Sequence, residues 1–108
     1  KFYKKAIHLE PDHEQCRVML SHCYYQLKQI PKAIETLMEG YKSDPDNPEF
    51  LYPLALYIFL NGDAAEAANM FESARKLKPT TYEILLDEYE AIEQEESLRN
   101  FIRGLMGN

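Results

Sequence analysis

The chain has 108 residues, a formal net charge of −6 and a hydrophobic fraction of 45%, which is enough material for one small folded domain. Eighteen acidic against twelve basic side chains give a surface that repels phosphate groups, so we exclude nucleic acid as a partner. No stretch approaches the roughly 20 consecutive apolar residues that a membrane span needs, and no membrane partner is predicted. Four glycines and six prolines are too few for an all-β chain, so helices are favoured.

Helical periodicity appears early in the chain. Apolar residues recur on one helical face over 14–28 and again over 32–43, which predicts two helices joined by a short turn. In the following segment, Gly62 is suited to a left-handed helix end and Asp63 to capping the next helix. Pro53 falls inside a predicted helix, where we expect a kink or a late helix start.

The prolines show a regular interval. Pro11, Pro45 and Pro79 are each 34 residues apart, and small residues recur at the same interval at Ala33 and Ala67. One large apolar position also recurs across four units, at Tyr3, Leu37, Phe71 and Leu105. Repetition at a fixed interval of this length predicts a stack of similar helix pairs, in which neighbouring pairs bury a continuous core.

This arrangement resembles the tetratricopeptide repeat, whose signature has seven positions. In the first unit these positions are held by Arg17, Leu20, Ser21, Tyr24, Ala33, Leu37 and Pro45. In the second unit they are held by Leu51, Leu54, Ala55, Ile58, Ala67, Phe71 and Pro79. The opening aromatic residue of the signature is absent from both units. The resemblance implies an all-α fold, a right-handed solenoid of antiparallel helix pairs.

The resemblance also divides the chain. Residues 14–47 and 48–81 are the two repeats, and residues 1–13 correspond to the second helix of a truncated preceding repeat. Residues 82–108 are predicted to form a degenerate C-terminal repeat or a pair of capping helices. The two helices would cover 82–94 and 97–106, and Ser97 is a candidate N-cap of the second. The alternative is one bent helix. Because the chain opens on Lys1 rather than Met, we expect it to be part of a longer array.

Histidine and cysteine are concentrated near the start of the chain, at His8, His13, Cys16, His22 and Cys23. A zinc site is one interpretation, but Cys16 and Cys23 would lie about 10.5 Å apart along one helix, too far to share an ion or a disulfide. Only His13 and Cys16 could hold an ion together, and two ligands do not make a structural site. We predict neither metal nor cofactor. Free thiols favour a reducing compartment such as the cytoplasm.

The carboxylates near the C-terminus are the remaining candidates for chemistry. They could be interpreted as an acid/base pair or a calcium site, but their spacing spreads them around a helix, as on a solvated face, and no glycine-centred calcium loop is present. A short helical solenoid offers a groove rather than a catalytic pocket. We therefore predict no catalytic residue and no enzyme activity.

Partner binding is the function that the resemblance implies, because the first helix of each unit lines the concave surface in this family. The positions that correspond to that surface are Val18, His22, Tyr25, Tyr52, Leu56, Phe59, Glu83, Leu86, Glu90 and Glu93. Their aromatic and aliphatic members would form an apolar floor. The alternative is that the aromatic side chains are covered by a preceding unit, by a second copy of the chain or by one another.

Charge is distributed unevenly along this predicted surface. Residues 82–108 carry seven acidic and two basic side chains, and therefore five of the six net negative charges. The sequence predicts a non-catalytic interaction scaffold that binds a protein or peptide with apolar anchors and basic flanks. The alternative is a structural cap or dimerising segment of a longer array, with self-association through the helix predicted at 1–13.

Overall fold

The computed structural model describes residues 14–107, and within them the secondary structure is entirely helical. The helices are α1 Glu14–Gln26, α2 Ile30–Ser43, α3 Pro48–Leu60, α4 Ala64–Leu77, α5 Tyr82–Glu88, α6 Glu90–Gln94 and α7 Glu96–Leu105. The predicted all-α fold is confirmed. The helix predicted over 1–13 lies outside the described residues. We refer to α5, α6 and α7 together as the terminal helices.

The first four helices form two packed pairs. α1 packs on α2 and α3 packs on α4, and α3 also contacts α1 and α2. The turn within the second pair has the predicted chemistry: Gly62 has a φ of 104°, and the Asp63 side chain accepts a hydrogen bond of 3.0 Å from the Glu66 amide. Asn47 caps α3 in the same way, by accepting from the Glu49 amide at 2.9 Å. These caps satisfy amide groups that a helix N-terminus leaves without partners.

Small residues let the paired helices approach each other closely. Ser21, Ala33, Ala55 and Ala67 are all fully buried. Gly40 lets α2 approach α3 of the next pair, because a Cβ atom at this position would lie 2.6 Å from the Phe50 ring. These are the positions that the 34-residue interval marks as small, so the packing agrees with that register.

An ion pair between the buried Arg17 and the exposed Glu39 joins α1 to α2, at the position where the family signature has an aromatic residue. Arg17 is 7% exposed, and its Nη1 atom donates to the Glu39 carboxylate at 3.0 Å and to the Thr36 carbonyl at 3.4 Å. The aliphatic part of the arginine side chain fills space, while the charged end finds acceptors. Arg17 therefore connects the two helices that an aromatic ring would otherwise connect.

α3 is the central helix of the molecule. Every residue from 50 to 58 is buried, because α3 is in contact with α1, α2, α4 and α7. Pro53 lies inside α3, yet the helix runs from Pro48 to Leu60. The late helix start is therefore not observed; Asn47 and Pro48 provide a stable beginning one turn before Pro53.

The terminal helices differ from the predicted pair. The helix breaks at Tyr89 and again at Glu95, and both residues have extended backbones. Three short helices replace the two that the spacing suggested. The N-cap of α7 is Glu95 and makes no capping side-chain hydrogen bond, so the assignment of Ser97 as N-cap was wrong. Leu98 and Ile102 in α7 are fully buried, which fixes the inner face of this helix.

Candidate partner-binding cleft

A cleft of about 540 Å³ lies between α1 and the terminal helices. One wall is formed by α1 and the other by α5, Tyr89 and α6, and Pro53 and Tyr57 of α3 form the floor between them. The cleft brings together half of the residues that the sequence placed on the concave surface: Val18, His22, Leu86, Glu90 and Glu93. Whether these residues contact a partner stays a prediction.

The two walls of the cleft differ in charge. The terminal helices contribute four carboxylates, from Asp87, Glu88, Glu90 and Glu93, whereas the α1 residues that line the cleft include no carboxylate. Apolar side chains lie between them, with Val18 and Met19 on α1 and Leu86 on α5. The cleft therefore combines a negatively charged wall with an apolar strip, an arrangement that attracts cations and also offers contacts to apolar groups.

Two of the predicted floor residues, Tyr52 and Leu56, are core residues in the described chain. Tyr52 is 3% exposed and Leu56 is 1% exposed. The Tyr52 hydroxyl donates to the Lys78 carbonyl, and its ring meets Phe71 edge to face, with centroids 5.6 Å apart. Burial raises the pKa of Tyr52 above its ordinary value. Neither side chain lines the cleft.

Tyr25 is also buried, although it lies on the predicted surface. Its ring stacks on Tyr57 at 5.6 Å between centroids. Its hydroxyl lies 2.9 Å from Gln94 Oε1 and 3.1 Å from Glu95 Oε2, so it donates to one of the two at a time. Burial, followed by the hydrogen bond to Glu95, raises the pKa of Tyr25 to about 12. Tyr25 thus connects α1 to the end of α6.

The last two predicted residues have separate surroundings. Phe59 is half-buried and stacks on Phe101 of α7, with ring centroids 4.2 Å apart. Glu83 is exposed on α5 and does not line the cleft. The aromatic side chains of the predicted floor therefore pack against Tyr57 of α3, Phe71 of α4 and Phe101 of α7, none of which the stated alternative named.

A polar cluster closes one end of the cleft. The carboxylate of Glu90 lies 3.6 Å from His22 Nε2 and accepts a hydrogen bond of 3.3 Å from Gln26 Nε2. Gln94, one turn later on α6, also donates to Glu90. We call these contacts of Glu90 with His22, Gln26 and Gln94 the Glu90 bridge. It joins α1 to α6 across the floor that α3 provides.

Sequence reasoning missed Phe101 as a contact on the concave side. A signal for its role was present in α3, where Glu49 is the only charged residue among thirteen. A helix that is apolar on every side is usually buried on every side. The composition of α3 therefore indicates a covering element on its concave face, although it does not identify that element.

Other chemistry finds no support in the part of the chain that the structure describes. No group of three or more histidine, cysteine, aspartate or glutamate side chains among residues 14–107 is arranged to hold a metal ion. Cys16 and Cys23 form no disulfide. None of the helices between Glu14 and Leu105 is long and apolar enough to cross a membrane.

Comparison with known proteins supports the repeat. The family model described as Tetratricopeptide repeat matches residues 1–56. The chain is 31% identical over 85 residues to Tetratricopeptide repeat protein 16 of Mus musculus, covering 72% of this chain and 11% of that protein. It is 27% identical over 85 residues to the Macaca fascicularis protein of the same name, covering 72% of this chain and 10% of that protein. The chain thus spans about a tenth of the length of these curated relatives. Taken with the paired helices and the small residues at their crossings, these matches show that the chain belongs to the tetratricopeptide repeat family.

Proposed function

We propose that this chain is a non-catalytic module that binds a segment of a partner protein in the cleft between α1 and the terminal helices. Repeats of this family generally mediate protein–protein interactions and typically act as scaffolds rather than enzymes. The observation that carries the proposal for this chain is the cleft itself, with its acidic wall and apolar strip.

The acidic wall defines the charge of the partner. Asp87, Glu88, Glu90 and Glu93 are crowded on one side of the cleft, in the region that holds most of the net charge of the chain. A partner segment with lysine or arginine would be attracted to this wall, and its association would be faster at low salt, because surface charges are screened over about 10 Å at 0.1 M salt.

The apolar strip defines the rest of the partner. Val18 and Leu86 face the cleft from opposite walls, above Pro53 and Tyr57. A volume of about 540 Å³ lies within the range of sites that hold a small ligand or a few side chains. The cleft therefore suits a short segment in which one or two apolar anchors are flanked by basic residues.

A defined probe tests this proposal. We would use a short synthetic peptide with a centre of leucine and phenylalanine flanked on both sides by lysines, which we call the basic probe. Its counterpart has glutamate in place of lysine. We expect the basic probe to bind the full chain in fluorescence anisotropy and the acidic counterpart not to bind. Binding of both peptides, or of neither, would contradict the proposal.

Removal of charge from the wall provides the matched comparison. Asp87→Asn combined with Glu93→Gln removes two carboxylates that make no hydrogen bond or ion pair within residues 14–107, so the fold should be unaffected. We expect a loss of affinity for the basic probe of roughly tenfold. Glu35→Gln combined with Glu66→Gln removes two exposed carboxylates elsewhere and should leave affinity unchanged.

A structural cap is the second candidate function, and the burial of α3 favours it. The terminal helices cover Phe59 through Phe101 and so complete the core of the preceding pair. In this role the chain would end a longer array and would bind no ligand. Self-association through residues 1–13 belongs to the same candidate, and an apparent mass that rises with concentration in sedimentation would support it.

A further inference from the structure

The Glu90 bridge uses the same carboxylate that a basic partner would need. Glu90 lines the cleft, yet its oxygens already receive hydrogen bonds from Gln26 and Gln94, and His22 lies 3.6 Å away. In the free chain, this charge is therefore partly engaged by the protein itself. Any cation that enters the cleft competes with these side chains for the same oxygens.

The bridge also has a mechanical role, because its two sides belong to distant parts of the chain. Gln26 is on α1 and Glu90 on α6, 64 residues later. The contact of Tyr25 with Gln94 and Glu95 spans 69 and 70 residues and lies beside it. These polar contacts connect α1 to the terminal helices across the cleft, so they determine how closely its two walls approach each other.

We propose that the Glu90 bridge is an internal competitor of the partner, which occupies the Glu90 carboxylate and holds α1 to α6 in the free chain and is exchanged for a lysine or arginine of the bound segment. This inference rests on the proposed function, since it assigns a partner contact to Glu90. The bound cation takes the place of the Gln26 and Gln94 amides, and the polar connection of α1 to α6 is then reduced to the contacts of Tyr25.

The Glu90 bridge is weak enough to be replaced by a cation of the partner. The His22 and Glu90 side chains are 36% and 38% exposed, so water screens their interaction and replaces lost contacts at small cost. The breaks at Tyr89 and Glu95, on either side of α6, are single residues with extended backbones, which are positions where a helix pair can change its angle. Arg75, by contrast, donates to the Leu105 carbonyl at 3.1 Å and ties the end of α7 to α4.

A double variant tests the proposal in the full chain. Gln26→Ala combined with Gln94→Ala removes both amide donors from Glu90, leaves every carboxylate of the acidic wall in place and keeps Glu95 as the acceptor of the Tyr25 hydroxyl. Because an internal competitor reduces the apparent affinity to the fraction of molecules in which Glu90 is not engaged, we expect the variant to bind the basic probe roughly three- to tenfold more tightly than the wild type. If the substitutions only removed a side chain that lines the cleft, the variant would bind the basic probe more weakly than the wild type.

Hydrogen exchange of the free chain supplies a measurement that needs no partner. We expect the amides of residues 90–105 to exchange roughly three- to tenfold faster in the variant, while those of α4 keep their wild-type rates and serve as an internal reference for global stability. The control is Gln15→Ala combined with Gln29→Ala, which replaces two exposed glutamines and should change neither measurement.

The outcomes separate the two proposals. If the basic probe binds and the variant binds it no more tightly than the wild type, the Glu90 bridge is not a competitor. If exchange is unchanged at 90–105, or rises equally in α4, the bridge does not hold α1 to α6, and the inference is overturned. If the basic probe binds no form of the chain, the proposed function fails, whereas the exchange comparison still decides whether the bridge ties α1 to α6.

Discussion

α1 and α3 are the first helices of the two packed pairs, yet their surroundings are opposite. In α3, every residue from 50 to 58 is buried. In α1, by contrast, Val18, Met19, His22 and Cys23 remain partly exposed along the cleft. The composition of the two helices follows this difference, since α3 has Glu49 as its only charged residue, whereas α1 is mixed.

This difference between α1 and α3 shows that the position of a residue in the repeat does not by itself determine how exposed its side chain is. Position in the repeat specifies which side chains face the partner helix of the pair, and this is why Ser21 and Ala55 are both buried at equivalent crossings. The exposure of the opposite face of each helix depends on which other element packs against it. α3 is covered there by α7, whereas α1 meets α6 through polar contacts at one end of an open cleft.

The sharpest test of this comparison is Tyr52→Ala in α3 against Val18→Ala in α1. We expect Tyr52→Ala to lower the free energy of unfolding by about 3 kcal/mol or more, because it leaves a cavity beside Phe71 and removes the donor to the Lys78 carbonyl. Val18→Ala should cost about 1 kcal/mol or less. Urea denaturation measures both, and equal costs would mean that the two helices are equally exposed in solution.

A smaller effect on the free energy of unfolding is expected at the contact between Phe59 and Phe101, through which α7 covers α3. Phe59 and Phe101 stack at 4.2 Å, so a double-mutant cycle with Phe59→Leu and Phe101→Leu should give a coupling free energy of about 0.5–1.5 kcal/mol. Unfolding in urea supplies the four stabilities. A coupling of zero would mean that α7 does not contact α3 through these two rings. The burial of the concave face of α3 would then lack its explanation.

The last test concerns the connection of α1 to the end of α6, and its effect is confined to alkaline pH. The unfolded chain releases the Tyr25 proton near pH 10, the ordinary pKa of a tyrosine, whereas the folded chain holds it to about pH 12. The stabilisation is therefore fully present below about pH 10 and is lost as the pH rises from there towards about 12. Tyr25→Phe cannot ionise, so its stability should fall less steeply over this range than that of the wild type. Urea denaturation at a series of alkaline pH values compares the slopes, and parallel curves would contradict the buried position of Tyr25.

Much of the fold follows from local sequence patterns. The 34-residue interval identified the small residues at the helix crossings, such as Ala33 and Ala67, and local turn chemistry identified the turn at Gly62 and Asp63. These features depend on neighbouring residues and on one partner helix, so local patterns are enough to reveal them. In the terminal helices, the break at Glu95 falls between the two predicted helices, whereas the break at Tyr89 was not predicted.

The candidate site could be predicted only in part. Val18 and Leu86 line the cleft as the repeat register suggests, but Tyr52 and Leu56 are buried, because register gives the direction of a side chain and says nothing about what covers it. The Glu90 bridge brings together residues 64 apart. Their proximity depends on how the terminal helices close over α3, which the pattern of a single helix cannot encode.

The contact of Phe101 with Phe59 has a consequence for the order in which the chain acquires its structure. The paired helices join residues that are close in sequence, and such local contacts form quickly, whereas contacts between distant residues require a long loop to close first. During synthesis the apolar surface of α3 appears well before the residue that covers it. Until Phe101 has emerged from the ribosome, the growing polypeptide carries an uncovered aromatic surface of the kind that chaperones recognise and that promotes aggregation.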